Sequence, residues 1–242
     1  LTLASRLAAT LGAPDLAARV SLAEAGLQNA LGRYSEVLTM TEPLLSGGGR
    51  PSRLQASLQY ERSVALLRLG RLGEAEAGLD DAITQVPPDA HDLIGHLQTL
   101  LQACAMQRGL LPQAQTHNAL ARQAFQAAGN RLGAVKALGG QGLLTGLLGD
   151  ARAAVQVLTG ALMEARELQD VSVQRTLLLN LFKFLLEAGD LETAAGRGAG
   201  TGPRAAGSLP RRRLPEQPRD RPAAARRSRR STEGSHGSAQ PC

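Results

Sequence analysis

The residues that come closest to the spacing of a metal site lie between positions 91 and 96. His91 and His96 stand five residues apart, with Asp92 between them. On an α-helix, two imidazoles four residues apart share one face, whereas a spacing of five separates them. We therefore expect no metal site here. The isolated His117 is expected to be a solvent-facing or groove residue.

Two further features could serve catalysis or cofactor binding. The glycines at 140, 142 and 146 have the density of a phosphate-binding loop, but no Gly-Lys-Ser/Thr follows them and no strand precedes them. Cys104 falls on an apolar helical stripe without a convincing basic partner, which predicts a core thiol rather than a nucleophile. No Ser/His/Asp set and no pair of carboxylates stands out. The sequence therefore predicts a protein that is not an enzyme and has no catalytic residues, cofactor or metal ligands.

The elements that carry these residues follow a helical period. The apolar residues of 54–69 and 72–86 recur at the spacing of one helix face, and Gly70 separates the two stretches. Glycines that divide such pairs recur at spacings of 38, 39, 40 and 40 residues, at Gly32, Gly70, Gly109, Gly149 and Gly189. The positions five residues before, five after and twelve before these glycines are apolar, and so is the position twelve after each of the first four. A pair of amphipathic helices cannot bury both stripes alone, so stacked pairs are predicted.

The expected helix boundaries follow from the same pattern. Hairpins are predicted at 14–48, 51–87, 89–129 and 130–170, with a further first helix at 171–188 and the second helix of an earlier hairpin at 1–12. Pro14 and Pro51 stand where helices begin, and Pro87-Pro88-Asp89 predicts a helix stop followed by an Asp89 N-cap. The segment 130–149 carries glycines inside a helix, each costing ~1 kcal/mol relative to alanine. That indicates either very close packing or a soft helix.

The turn motifs resemble those of the tetratricopeptide (TPR) repeat family. They read Gly70-Arg-Leu-Gly-Glu-Ala75, Gly149-Asp-Ala-Arg-Ala-Ala154 and Gly189-Asp-Leu-Glu-Thr-Ala194. The long period is similar to that of the TPR arrays attached to bacterial ATP-dependent transcriptional activators. The resemblance implies an all-α, right-handed superhelix, an α-solenoid of four to five TPR-like antiparallel helix hairpins whose first helices line the concave side.

The formal net charge of +6 is not spread along the chain. Residues 195–242 hold 11 arginines and 3 acidic residues, and the remainder of the chain carries a charge of −2. We therefore divide the chain into a TPR-like helical repeat domain, 1–194, and an Arg/Pro/Gly/Ala-rich tail, 195–242, that is expected to be disordered. An out-of-frame end of a GC-rich gene is the other interpretation of this tail. A genuine tail would contact nucleic acid weakly and without specificity.

The function expected from these patterns is a protein-protein interaction scaffold or sensor arm that binds a protein or peptide partner in a TPR-like groove. The alternative is a fragment of a bacterial transcriptional regulator, whose TPR arm passes an effector signal to an ATPase or DNA-binding module outside this chain. Apolar runs are too short to span a membrane and no leader begins the chain, so a cytoplasmic location without membrane contact is expected. Candidate partner-binding residues are those of the first helices that lie off the buried positions: Arg19, Asn29, Tyr60, Arg68, His96, Gln107, Lys136 and Lys183.

Overall fold

The computed structural model describes residues 14–47 and 52–189 of the 242-residue chain. These residues form nine α-helices and no strand. In chain order the helices are α1 (Pro14–Ala30), α2 (Tyr34–Ser46), α3 (Ser52–Arg68), α4 (Leu72–Gln85), α5 (His91–Gln107), α6 (Leu111–Ala127), α7 (Arg131–Leu147), α8 (Ala151–Glu167) and α9 (Val171–Glu187). The predicted all-α fold is confirmed. The predicted helix at 1–12, the domain boundary at 194 and the tail lie outside the described residues.

A glycine in the left-handed region ends the first helix of each described hairpin. Gly32, Gly70, Gly109 and Gly149 have φ values of 76°, 74°, 74° and 102°. Glycine is favoured there because it has no Cβ to clash with the backbone. The next residue closes the turn, as Arg71 does by donating its N–H to the carbonyl oxygen of Leu66 at 2.9 Å. The predicted turn positions are confirmed.

The helices lie in two layers. Each helix packs against its neighbour in sequence, and each odd-numbered helix also packs against the next odd-numbered one, from α1 through α9. No two even-numbered helices contact one another in the described part of the chain. The odd helices therefore form a continuous, closer-packed layer, and the even helices form a more widely spaced one. This is the architecture of an α-solenoid.

The apolar positions around each turn glycine build the core. Five residues after the glycine, Val37, Ala75, Ala114 and Ala154 are fully buried, and twelve residues before it Leu58, Leu97, Ala137 and Leu177 are buried. Small residues in the first set allow the two helices of a hairpin to approach closely. Leu27 departs from the pattern, since it occupies the same repeat position as the fully buried Ala65 and Cys104 yet is 57% exposed. At the equivalent position of α7, Leu144 clusters with Ala105 and Ala114 of the preceding hairpin.

The glycines inside α7 are contact points for large side chains. A Cβ added at Gly133, Gly139, Gly142 or Gly146 would lie 2.4 to 2.7 Å from Phe125, Leu177 or Leu158, or 2.2 Å from the ring of Phe184. These distances are too short for a methyl group. The sequence left open whether this segment packs very closely or forms a soft helix. The structure shows very close packing.

The helix caps were predicted less well than the turns. Asp150 and Asp170 cap α8 and α9, since their Oδ1 atoms accept backbone N–H bonds from Ala153 at 2.9 Å and Val173 at 2.8 Å. Asp89 does not cap α5, so that prediction was wrong. A turn closed by the bond from Ala90 N–H to the Pro87 carbonyl carries the chain one residue further, and α5 begins at His91.

Candidate binding surface

The odd helices present one set of side chains that the repeat never buries. These side chains stand 13, 6 and 2 residues before the turn glycine that ends each odd helix, and all fifteen are exposed or half-buried. We call this surface the odd-helix wall. The row six residues before the glycine is mostly small or apolar, with Gly26, Val64, Ala103 and Leu143, whereas the rows on either side of it are mainly polar.

Six of the eight predicted partner-binding residues belong to this wall. Arg19, His96 and Lys136 stand 13 residues before a turn glycine, Lys183 stands 6 before, and Arg68 and Gln107 stand 2 before. Tyr60 and Asn29 lie at its edge, ten and three residues before their glycines, and both are half-buried. Arg19, Arg68, Gln107, Lys136 and Lys183 are exposed.

An aromatic cluster joins three helices beside the wall. The rings of Tyr60 and His96 have centroids 5.8 Å apart, and those of His96 and Phe125 are 5.1 Å apart, both edge to face. Burial lowers the pKa of His96 and Lys136 lowers it further, although Asp92, 3.7 Å from Nε2, acts in the opposite direction. Burial and the charge of Glu61 raise the pKa of Tyr60. At neutral pH the cluster therefore consists of a neutral imidazole and a protonated phenol.

Asn29 has a structural role between α1 and α3. Its Nδ2 donates to the backbone oxygen of Glu61 at 2.9 Å and to the Oε2 of the same residue at 2.7 Å. Its Oδ1 is buried without a hydrogen-bond partner among the described residues. Sequence reasoning selected Asn29 but omitted Glu61, although an acidic residue next to the selected Tyr60 was visible in the sequence.

The remaining predicted residues are not drawn into one cluster. Lys183 Nζ lies 4.8 Å above the ring of Phe184 and 4.0 Å from Oε1 of Glu187. Arg19, Arg68 and Gln107 lie on three different helices. The structure thus brings Tyr60, His96 and Lys136 together and distributes the others along the wall.

Sequence reasoning missed two clefts that are lined partly by side chains of the even helices. One cleft of about 350 Å³ lies between α4, α5 and α6 and is lined by Glu76, Asp80, Arg108 and His117. His117 Nδ1 lies 2.8 Å from Oε1 of Gln98, and burial lowers its pKa against the opposing effect of Asp80 and Glu76. His117 is therefore half-buried in a groove.

A second cleft of about 400 Å³ lies between α6 and α7 and is lined by several amide side chains and Arg122. None of the eight predicted residues lines either cleft. The expectation that His117 is a solvent-facing or groove residue is confirmed, but nothing else in the sequence marked these clefts, because they arise from the spacing between helices.

Of the groups considered for chemistry, Cys104 lies in the core and His91 at the surface. Cys104 is fully buried, which confirms the core prediction, and burial raises the pKa of its thiol to about 11. His91 is exposed, and residues 14–47 and 52–189 contain no group of three or more His, Cys, Asp or Glu side chains that could hold a metal ion. Within the same ranges, no helix has the length and apolar character needed to cross a membrane.

The fold and the wall together define an α-solenoid of helical hairpins. No protein-family model and no curated protein matches the chain. Among solved structures, the chain is similar to BtubC (BKLC) from P. vanneervenii, with a TM-score of 0.58 and 18% sequence identity. The match covers 87% of this chain and 93% of BtubC. At this identity the similarity concerns the fold alone.

Proposed function

We propose that this chain is a non-enzymatic interaction scaffold that binds a protein or peptide partner along the odd-helix wall. The observation that carries the proposal is the direct packing of each odd helix on the next, which gives five helices one shared surface. A surface of this kind can follow an elongated partner, as in other stacked-repeat proteins. The raised thiol pKa of Cys104 also disfavours the thiolate that a cysteine nucleophile needs.

The composition of the wall favours an acidic, amphipathic partner. Val64, Ala103 and Leu143 form a half-buried apolar row along three adjacent odd helices. Arg68 and Lys136 are exposed on opposite sides of this row. An amphipathic segment could place its apolar side on the row while its carboxylates meet these cations.

The experiment compares partner capture by two charge-reversal variants of the full chain. Arg68→Glu with Lys136→Glu reverses two cations on the wall. Arg152→Glu with Arg166→Glu makes the same charge change at exposed positions of α8. Partners are captured from lysate and quantified by mass spectrometry, and helicity is checked by circular dichroism.

We expect the wall variant to capture at least about tenfold less of its main partner than the unmodified chain, because reversing charges at an interface opposes binding. The α8 variant should capture the same amount as the unmodified chain. Equal capture by both variants and the unmodified chain would contradict the proposal. The TPR assignment and the alternative role as a regulator fragment rest on the motif resemblance and stay predictions.

A further inference from the structure

Helix α9 carries apolar side chains on two sides. Val173, Leu177, Leu181, Phe184 and Leu185 are buried against the preceding hairpin. On another side, Val171, Leu179, Phe182 and Leu186 are 76%, 66%, 47% and 43% exposed. An apolar face of a helix is normally buried against a neighbour. No described helix packs on this second apolar side.

The repeat shows that this side of α9 is one that earlier hairpins bury. Seven residues before the turn glycine, the earlier odd helices have Ala25, Ser63, Gln102 and Gly142, all buried, whereas α9 has Phe182. Fourteen residues before it they have Ala18, Ala56, Gly95 and Val135, again all buried, whereas α9 has the exposed Arg175. Where a contact is resolved, the second helix of the same hairpin covers these positions: Leu158 of α8 covers Gly142 of α7, and Phe125 of α6 covers Gly95 of α5.

The sequence beyond α9 is poor in residues that could cover this side. Residues 190–242 include three leucines and no valine, isoleucine, methionine, phenylalanine or tyrosine. The second helices α2, α4, α6 and α8 each bury at least one leucine or phenylalanine. Contact with a second molecule would bury this side of α9.

The exposed side chains have the spacing of a seam between two helices. Arg175, Leu179, Phe182 and Leu186 follow one another at intervals of four, three and four residues, which is the interval pattern of helices that pack side by side over their length. We call this set the α9 seam. We propose that the α9 seam binds the α9 seam of a second copy of this chain, antiparallel and about a twofold axis.

In that arrangement the cation of the seam, Arg175, comes near a carboxylate that flanks the seam, Glu187 of the partner subunit. An axis between residues 180 and 181 sets Leu179 against Phe182 of the partner subunit, and Arg175 against Leu186 of the partner subunit. The aliphatic part of Arg175 then covers that leucine, and its guanidinium joins Lys183, 4.0 Å from Glu187 in the same chain, beside the carboxylate of Glu187 of the partner subunit. Because the interface is twofold, each such contact is made twice. A parallel pair would instead bring the two Arg175 side chains together.

The proposal is tested by sedimentation velocity on the full chain over a range of concentrations. We expect a species of about twice the 25.3 kDa chain mass. Phe182→Glu should raise the dissociation constant at least roughly 100-fold, since it puts a charge at the centre of the interface. Met163→Glu is the matched control, because Met163 is 62% exposed on α8, outside the seam, and this variant should dimerise as the unmodified chain does.

A charge exchange tests the antiparallel arrangement itself. Arg175→Glu and Glu187→Arg should each weaken dimerisation by about tenfold, and the double variant should restore it. Circular dichroism confirms that each variant is folded. A monomer at all concentrations would overturn the proposal, whether residues 190–242 or another protein covers the seam. The proposal would also be overturned if the double variant dimerised more weakly than either single variant. A dimer abolished by Met163→Glu but not by Phe182→Glu would overturn it as well.

Discussion

Two glycine-to-alanine substitutions in neighbouring helices separate packing from helix propensity. Gly160 is an interior position of α8, so its substitution gains about 1 kcal/mol of helix propensity, whereas Gly146 is the second-last residue of α7 and gains no more than that. A Cβ at Gly146 would lie 2.2 and 2.3 Å from two ring carbons of the fully buried Phe184, whereas a Cβ at Gly160 would meet nothing within 4 Å.

Gly160→Ala should therefore raise the free energy of unfolding, whereas Gly146→Ala should lower it or leave it almost unchanged. Forcing a methyl group into a filled core costs about 1–3 kcal/mol. Because the propensity gain at Gly146 is no larger than that at Gly160, the free energies of unfolding of the Gly146→Ala and Gly160→Ala chains should differ by at least that amount. The Gly160→Ala chain should be more stable than the unmodified chain by about 1 kcal/mol.

The assay is equilibrium urea unfolding followed by far-ultraviolet circular dichroism. Stacked repeats can unfold in more than one step, so hydrogen exchange of the amides in α7 and α9 accompanies it. The loss of amide protection caused by Gly146→Ala should be concentrated in α7 and α9. Equal stabilisation by both substitutions would refute the close packing of Phe184 on α7.

Three further outcomes follow from single residues. Asp150→Ala should lower the free energy of unfolding by about 1 kcal/mol, measured by urea unfolding, because it removes the N-cap of α8, whereas Asp89→Ala should change it by less than about 0.5 kcal/mol. The Cys104 thiol, buried and with a pKa raised to about 11, should react with a thiol reagent at pH 8 far more slowly in the native chain than in urea, and equal rates would place it at the surface. Because the folded-state pKa of His96 is lowered, the unfolded state binds more protons as pH falls through about 6.5, so stability should decrease there and His96→Asn should reduce the decrease. A decrease that His96→Asn leaves unchanged would contradict this.

Much of the fold could be predicted because glycine turns and apolar positions recur together. The need for positive φ at a tight turn restricts Gly70 and its equivalents to one residue type, so their spacing marks the hairpins. The buried alanines one turn later are equally constrained, because larger side chains would separate the paired helices. Local requirements of this kind restrict the residue type at a position, so they can be recognised from the sequence.

Features that depend on which neighbour covers a surface could not be predicted. Leu27 has the same type and spacing as buried residues of later repeats, and only the structure shows it exposed. The cleft at His117 arises from the spacing between even helices, which no sequence period specifies. Asp89 had the side chain of an N-cap, but the turn at 87–90 moved the helix start beyond it. Periodicity indicates which residues share a helix face, but it does not indicate which element packs on that face.

The stacking of odd helices on one another is the basis of the wall and of the function proposed for it. It is tested most directly by a nuclear Overhauser measurement between ring protons of Tyr60 on α3 and His96 on α5, in a chain with only two tyrosines and four histidines. The edge-to-face contact with centroids 5.8 Å apart predicts a clear cross-peak between the two rings. Absence of that cross-peak, with both rings assigned, would contradict the stacking.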